Sequence, residues 1–326
     1  MRLVTPSPAS CLLTHALIPK PLHLREDPEA IVCSVALGLT VTLAEPVDFL
    51  LRQGPAQLLR AFLALAPDTE PHAPRWFWTS ARSGWRRLSS DVTSDLSAEL
   101  SAGAWLAGRP RHLFSFRVTD RPSAPLSSLH YWEVDPARSA RPAGFSITLP
   151  AHLDARRLED VLAMVASEHP IFAALTGFEV SLHPELQGVG LRAAYPWFRR
   201  YLGLQPPAAL TMRRMAPVAL PGVAWLTAVG LPLQARLPGL AAAASARAWG
   251  RGVGVSALPR ALILRAGAAP ELGDLNQMEY PSALAEVAQV MSPFLPNEPV
   301  SLPGGFHVER TTADWMRRFE APERWS

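Results

Sequence analysis

The stretch Ile31-Val-Cys-Ser-Val-Ala-Leu-Gly38-Leu-Thr-Val-Thr-Leu43 is a dense run of apolar and β-branched residues. It predicts one long strand, or a pair of strands bent at Gly38, where a missing side chain weakens a strand and permits a bend. After Pro46 the period changes. Phe49, Leu50, Leu58, Leu59, Phe62 and Leu63 recur at helical spacing until Pro67, so a helix follows the strand. Before Ile31 the chain is proline-rich and weakly periodic, which predicts an irregular lead-in over residues 1–30.

Working outward, a helix is expected over Ser94–Leu106, with Leu96, Leu100 and Trp105 on one face. Strands are expected over His112–Val118, Leu129–Val134 and Phe145–Leu149. Residues Asp154 to Ser167 place Leu158, Val161, Leu162 and Val165 at i, i+3, i+4 and i+7, which gives a helix one apolar face; Asp154 or a neighbour caps it. Gly177–Leu182 and Val223–Val229 read as strands, and Tyr195–Tyr201 and Leu237–Trp249 as helices. Val253–Leu258 and Ala261–Arg265 form a hairpin turning at Pro259-Arg260, and Pro281–Met291 is a helix with proline in its first turn.

Strands and helices thus come in loose clusters. The fold class is α+β, mainly antiparallel sheet packed with helices, without the strand-helix rhythm of a doubly wound parallel sheet. The units beginning near Ile31 and Phe145 share no fixed-period similarity, so a solenoid is not expected. The chain divides into the lead-in, a body over 31–292 that forms one domain or two α+β halves (31–150 and 151–292), and a proline-rich tail over 293–326 with a short helix around Ala313–Phe319.

With 326 residues and 48% hydrophobic content, the chain has material for a sizeable core. A net charge of +3, with the basic residues scattered, argues against non-specific nucleic-acid binding. Cys11 and Cys33 are too few for a disulfide framework or a metal cluster, so a reducing compartment is expected. Pro6, Pro8 and Pro19 interrupt any apolar leader, and no run approaches the roughly 18 apolar residues of a membrane span. A cytoplasmic protein follows from these features.

The chemistry-bearing motifs are sparse. Gly250-Arg-Gly252-Val-Gly254 lacks the spacing of a dinucleotide fingerprint and the ending of a P-loop, so it reads as a turn. Neither a Gly-x-Ser-x-Gly elbow nor a zinc-ligand spacing occurs, and no cofactor, metal or catalytic residue is expected. Glu168-His169 could act as a base and its orienter, yet sequence neighbours rarely face one another, and His152, His183 and His307 are isolated. The cluster Arg75-Trp76-Phe77-Trp78 with Trp85-Arg86-Arg87 has the residue types of binding hot spots, and equally those of a core edge.

Three segments of the second half carry a resemblance. The first is Leu175-Thr-Gly177-Phe178-Glu-Val with Ala194-Tyr195-Pro196-Trp197-Phe198 and Tyr201-Leu-Gly203-Leu204. The second is Gly222-Val223-Ala-Trp225-Leu226-Thr227 running into Leu237-Pro-Gly239-Leu240. The third spans Leu262 to Asn276 with Ala266-Gly267, Pro270-Glu271 and Gly273-Asp274. In their order and spacing they resemble the TsiV-like immunity proteins of bacterial type VI secretion. The resemblance implies a non-enzymatic α+β protein that neutralises a cognate toxin, encoded next to it, by stoichiometric binding. A structural module of a secretion gene cluster, or an enzyme with a dispersed active site, are the alternatives.

On that reading Trp76, Trp78, Trp85 and Arg86 are the expected partner-binding residues. Immunity proteins against nucleases are commonly acidic, and this chain is slightly basic, so any acidic surface must be local, with Glu271, Asp274 and Glu279 as its candidates. A monomer or weak dimer presenting about 800 Å² to its partner is expected.

Overall fold

A computed structural model describes residues 18–23, 31–68, 71–80, 82–89, most of 93–100, 114–133, 142–212, 219–248, 252–296, 302, 306, 309–320 and 322–325. Cys11, Trp105, the strand start at His112, Trp249, Gly250 and His307 lie outside the described residues.

The strands are β1 (Leu22–His23), β2 (Ile31–Leu43), β3 (Trp76–Thr79), β4 (Arg82–Arg87), β5 (Ser115–Thr119), β6 (Ser128–Trp132), β7 (Gly144–Pro150), β8 (Ile171–Leu182), β9 (Leu226–Gly230), β10 (Val253–Ala257) and β11 (Ala261–Ala266). They join in one 11-stranded sheet of order β10-β11-β9-β8-β2-β7-β6-β5-β3-β4, with β1 beside β2. Every named strand pair is antiparallel. The helices include α1 (Pro46–Leu51), α2 (Gly54–Leu65), α3 (Arg156–Glu168), α4 (Gln187–Arg200), α5 (Ala208–Met212), α6 (Leu231–Gln234), α7 (Leu240–Ala248), α8 (Ser282–Met291), α9 (Glu309–Met316) and α10 (Pro322–Trp325). The α+β expectation holds. No helix among the described residues is long and apolar enough to cross a membrane.

The run from Ile31 to Leu43 is a single strand, uninterrupted at Gly38, at the middle of the sheet, with β7 on one side and β8 on the other. Its residues are buried on both faces beyond Ile31, which explains an apolar run without strict alternation. Both neighbours run antiparallel to β2, hence parallel to one another, and α3 makes the crossover between them. Gly38 lies directly opposite Gly177. From those two glycines the chain reads Gly-Leu-Thr-Val-Thr-Leu (38–43) and Gly-Phe-Glu-Val-Ser-Leu (177–182). The antiparallel register relates the two segments by a local two-fold axis between the glycines.

The helix predicted after Pro46 is broken in two at Gln53, which has a left-handed backbone at φ 60°. Strand β8 begins earlier than predicted, at Ile171, because Ala173 and Ala174 pair with β9 despite a modest strand propensity. Helix α4 begins at Gln187, well before Tyr195, and carries Pro196 within it. Asp154 accepts the Arg156 N–H (3.0 Å) at the start of α3, and β10 and β11 form the predicted hairpin.

Between β2 and β3, register and alternation divide the side chains cleanly. One face carries Leu37, Leu39 and Val41 of β2, Phe145, Ile147 and Leu149 of β7, Leu129 and Tyr131 of β6, Phe116 and Val118 of β5, and Phe77 of β3, all buried. Phe49 of α1 stacks on Tyr131 and Phe145 at 5.9 and 6.3 Å, and His169 meets Phe49 edge-on at 4.8 Å. That side is the core.

The C-terminal tail is part of the core as well. Phe306, Trp315 and Trp325 pack with Tyr195 and Phe198 of α4 in a connected set of ring contacts. Arg318 is fully buried between the Trp315 and Phe319 rings, with its guanidinium donating to the Leu202 and Trp315 carbonyls at 2.6 and 3.0 Å. Burial pulls its pKa down to about 9, and the two carbonyls and the ring faces stand in for the missing carboxylate.

Candidate functional site

The other face of the same strands is polar. One row across the sheet runs Gly177, Gly38, Thr148, Ser128, Thr119, Trp76, and the next runs Thr40, Ser146, His130, Arg117, Trp78. Arg117, His130, Ser128, Trp76 and Trp78 are half-buried, alternating with the fully buried residues that point to the core. The Ser128 and Thr148 hydroxyls hydrogen-bond across strands at 2.7 Å. His130 lies 5.3 Å from the Trp132 ring and 3.4 Å from the Ser115 hydroxyl.

A groove of about 130 Å³ crosses this face, with Trp85 and Arg117 toward one end, Ser146 and Thr148 along its floor, and Glu179 and Leu210 toward the other. Strands β5 and β8, which bear Arg117 and Glu179, stand four places apart in the sheet, or about 19 Å at the usual strand spacing. Pro207 and α5 form part of the rim.

Glu179 is the unusual group here. It is 6% exposed, and its carboxyl lies against Gly38. A Cβ at Gly38 would come within 2.2 Å of the Glu179 carboxyl carbon, so only glycine leaves the seat open. Glu179 Oε2 accepts the Ala208 N–H at 3.1 Å, which ties the start of α5 to the sheet. Burial raises its pKa from 4.5 to about 7, opposed by that hydrogen bond. No guanidinium of the described chain forms an ion pair with it. Two residues beyond Gly38 on the same face, the Thr40 hydroxyl is buried without a hydrogen-bond partner among the described residues.

Comparison with known proteins decides the family. A family model described as TsiV, type VI immunity for VRR-NUC, matches residues 69–319. The chain belongs to the TsiV family. As a type VI immunity protein it binds and neutralises a type VI secretion toxin. No curated protein matches the sequence. Among solved structures, the Pseudomonas aeruginosa T6SS protein PA0821 has the same fold, with a TM-score of 0.77, 17% identity, and coverage of 98% of this chain and 94% of that one.

In this TsiV-family protein the expected tryptophans share the polar face. Trp76 and Trp78 flank the buried Phe77 and so point away from it, and Trp85 lines the groove. Arg86 pairs with Phe77 across β3 and β4 and sits over that ring at 4.4 Å, on the core side. The acidic candidates occupy a different region, the loop after β11. Asp274 is 1% exposed and held by Arg200 through two hydrogen bonds of 2.8 and 2.6 Å. Those bonds lower its pKa, and the carboxylate also accepts the Asn276 N–H at the start of a short 3-10 turn.

Glu271 and Glu279 are exposed and near enough to interact: the Glu271 pKa is raised, first by desolvation and then by the Glu279 charge. Between them Met278 is 92% exposed with a left-handed backbone at φ 57°. His169 of the Glu168-His169 pair faces Gln57 at 3.4 Å and the Phe49 ring, and burial lowers its pKa. The Cys33 thiol is buried in the core, which pushes its pKa up to about 12.

Glu179 is the residue that sequence reading passed over. Its signal was present in the likeness of residues 38–43 to 177–182, where a glutamate stands in place of a threonine as the one charged residue of the strand.

Proposed function

We propose that this protein silences a VRR-NUC effector, read as a nuclease, by covering it with the polar face of the sheet, and that Trp76, Trp78 and Trp85 anchor the contact. One observation carries the proposal: three tryptophans from two strands at one side of the sheet lie on a half-open polar face, beside a groove, while the opposite face is consumed by the core. Tryptophan combines large apolar area with an N–H donor and is enriched among residues that dominate binding energy.

Inhibition by occupancy needs no chemistry from the inhibitor, so the protein acts without catalysis. The groove's volume is below the roughly 300–1,000 Å³ usual for small-molecule sites, which favours a protein partner over a diffusible substrate. A nuclease harms the cell where its nucleic acid is, so the inhibitor works in the cytoplasm, as a monomer or weak dimer that meets one toxin. Glu271 and Glu279 form a second, smaller acidic contact beside Met278, complementary to the basic surface with which nucleases hold phosphates.

The test is co-expression with the VRR-NUC toxin encoded beside it. Rescue of growth, with the two proteins co-eluting at one-to-one stoichiometry, is expected. A toxic neighbour that goes unrescued by soluble protein would overturn the reading.

A further inference from the structure

We infer that the Glu179 end of the groove is a socket for one cationic side chain of the bound toxin, whose guanidinium or ammonium pairs with the Glu179 carboxylate. The inference rests on the proposed toxin-binding role of this face. The first argument is the construction of the seat. Gly38 is the cross-strand partner of Gly177, and its lack of a side chain is what lets the carboxyl lie flat on the sheet at the groove floor. A β-strand centre ordinarily favours a side chain that packs, so glycine here serves the carboxyl above it.

The second argument is the incomplete set of partners. An ionised carboxylate has about four lone-pair sites, and among the described residues Glu179 receives one hydrogen bond, from the Ala208 N–H. The guanidinium at the other end of the groove, Arg117, belongs to a strand four places away. A buried carboxylate without a cation is costly, and a cation delivered by a partner removes that cost only in the complex. The carboxylate therefore rewards binding rather than folding.

The third argument is the lining. The Ser146, Thr148 and Ser181 side chains line the same groove as Glu179 and can accept hydrogen bonds, while Leu210, Pro207 and Leu182 offer an apolar wall to an aliphatic stem. Arginine combines such a stem with a planar fork that meets a carboxylate at two points. Proteins that handle nucleic acid carry such side chains on their working surface, so the socket suits the toxin surface that must be covered.

The experiment measures affinity of the purified full-length protein for a catalytically inactive form of the VRR-NUC toxin. Glu179→Gln keeps an acceptor for the Ala208 N–H and removes the charge. It is expected to weaken binding at least tenfold, chiefly through faster dissociation, while the melting temperature holds or rises. Ser146→Phe fills the groove and is expected to weaken binding by a similar factor. If either folded variant binds as tightly as the natural chain, the socket assignment is wrong. If the natural chain itself does not bind the toxin, the proposed function fails first and the socket falls with it.

Discussion

Strands β3 to β7 present two faces built on one backbone and opposite in chemistry. Phe145, Tyr131, Phe116 and Phe77 look one way into a packed aromatic layer under α1, and Ser146, His130, Arg117 and the tryptophans look the other way. Neighbouring residues in sequence, such as Phe145 and Ser146, thus answer to different demands. The apolar face holds the chain together, and the polar face is left free to specialise. Alternation with period two is what permits one face to vary without disturbing the core a bond away.

Substitutions can break or sharpen that contrast. The largest effect is expected on the core face. Phe145→Ala leaves a cavity beside Phe49 and Tyr131 and should cost about 3–5 kcal/mol in denaturant unfolding, with toxin affinity of the folded fraction unchanged. Gly38→Ala comes next, with a loss of about 1–3 kcal/mol from overpacking against Glu179. In a Glu179→Ala background the same change should be nearly neutral, because the clashing group is gone. A persistent loss in that background would mean that Gly38 serves the backbone and not the carboxyl.

On the polar face, Trp76→Ala with Trp78→Ala should weaken toxin binding about tenfold or more, near 1.4 kcal/mol, with a smaller loss of stability than at Phe145. A lower melting temperature with intact affinity would assign the tryptophans to the scaffold. The gentlest test uses pH. The Glu179 carboxyl titrates near 7 in the folded chain against 4.5 ordinarily, so its contribution is complete below about pH 4.5 and is lost as pH rises through 7. Unfolding stability of the natural chain relative to Glu179→Gln should therefore fall over that window, by at most about 1.4 kcal/mol per pH unit. Taking the difference between the two proteins removes the raised carboxyls Asp120, Glu133 and Glu271, which have the same sign, and the lowered His169, which has the opposite sign. A flat difference would show that Glu179 is solvated.

Much of this was legible in the residues. The run at 31–43, the face of α3, the hairpin at Pro259-Arg260 and the family motifs all announce local structure or scaffold, because they are set by period, turn chemistry and burial. The pairing of β2 with β8 was not legible, since it joins positions far apart in sequence and depends on a match of two strands read separately. The site suffered most from the same limit. Trp76, Trp78 and Trp85 could be named from their type, yet their common face required the register of three strands. Asp274 looked like surface acid and is an ion-paired support for Arg200, and Glu179 looked like one more strand residue.

The seam between β2 and β8, in unbroken register from Cys33–Leu182 to Thr42–Ala173, bears on the heat and entropy of complex formation. A sheet bonded across its middle has no hinge there to order when the toxin arrives. Little conformational freedom is then surrendered in the sheet on docking. The heat-capacity change of association should accordingly match the area hidden between the two proteins, without the larger excess that accompanies folding on binding.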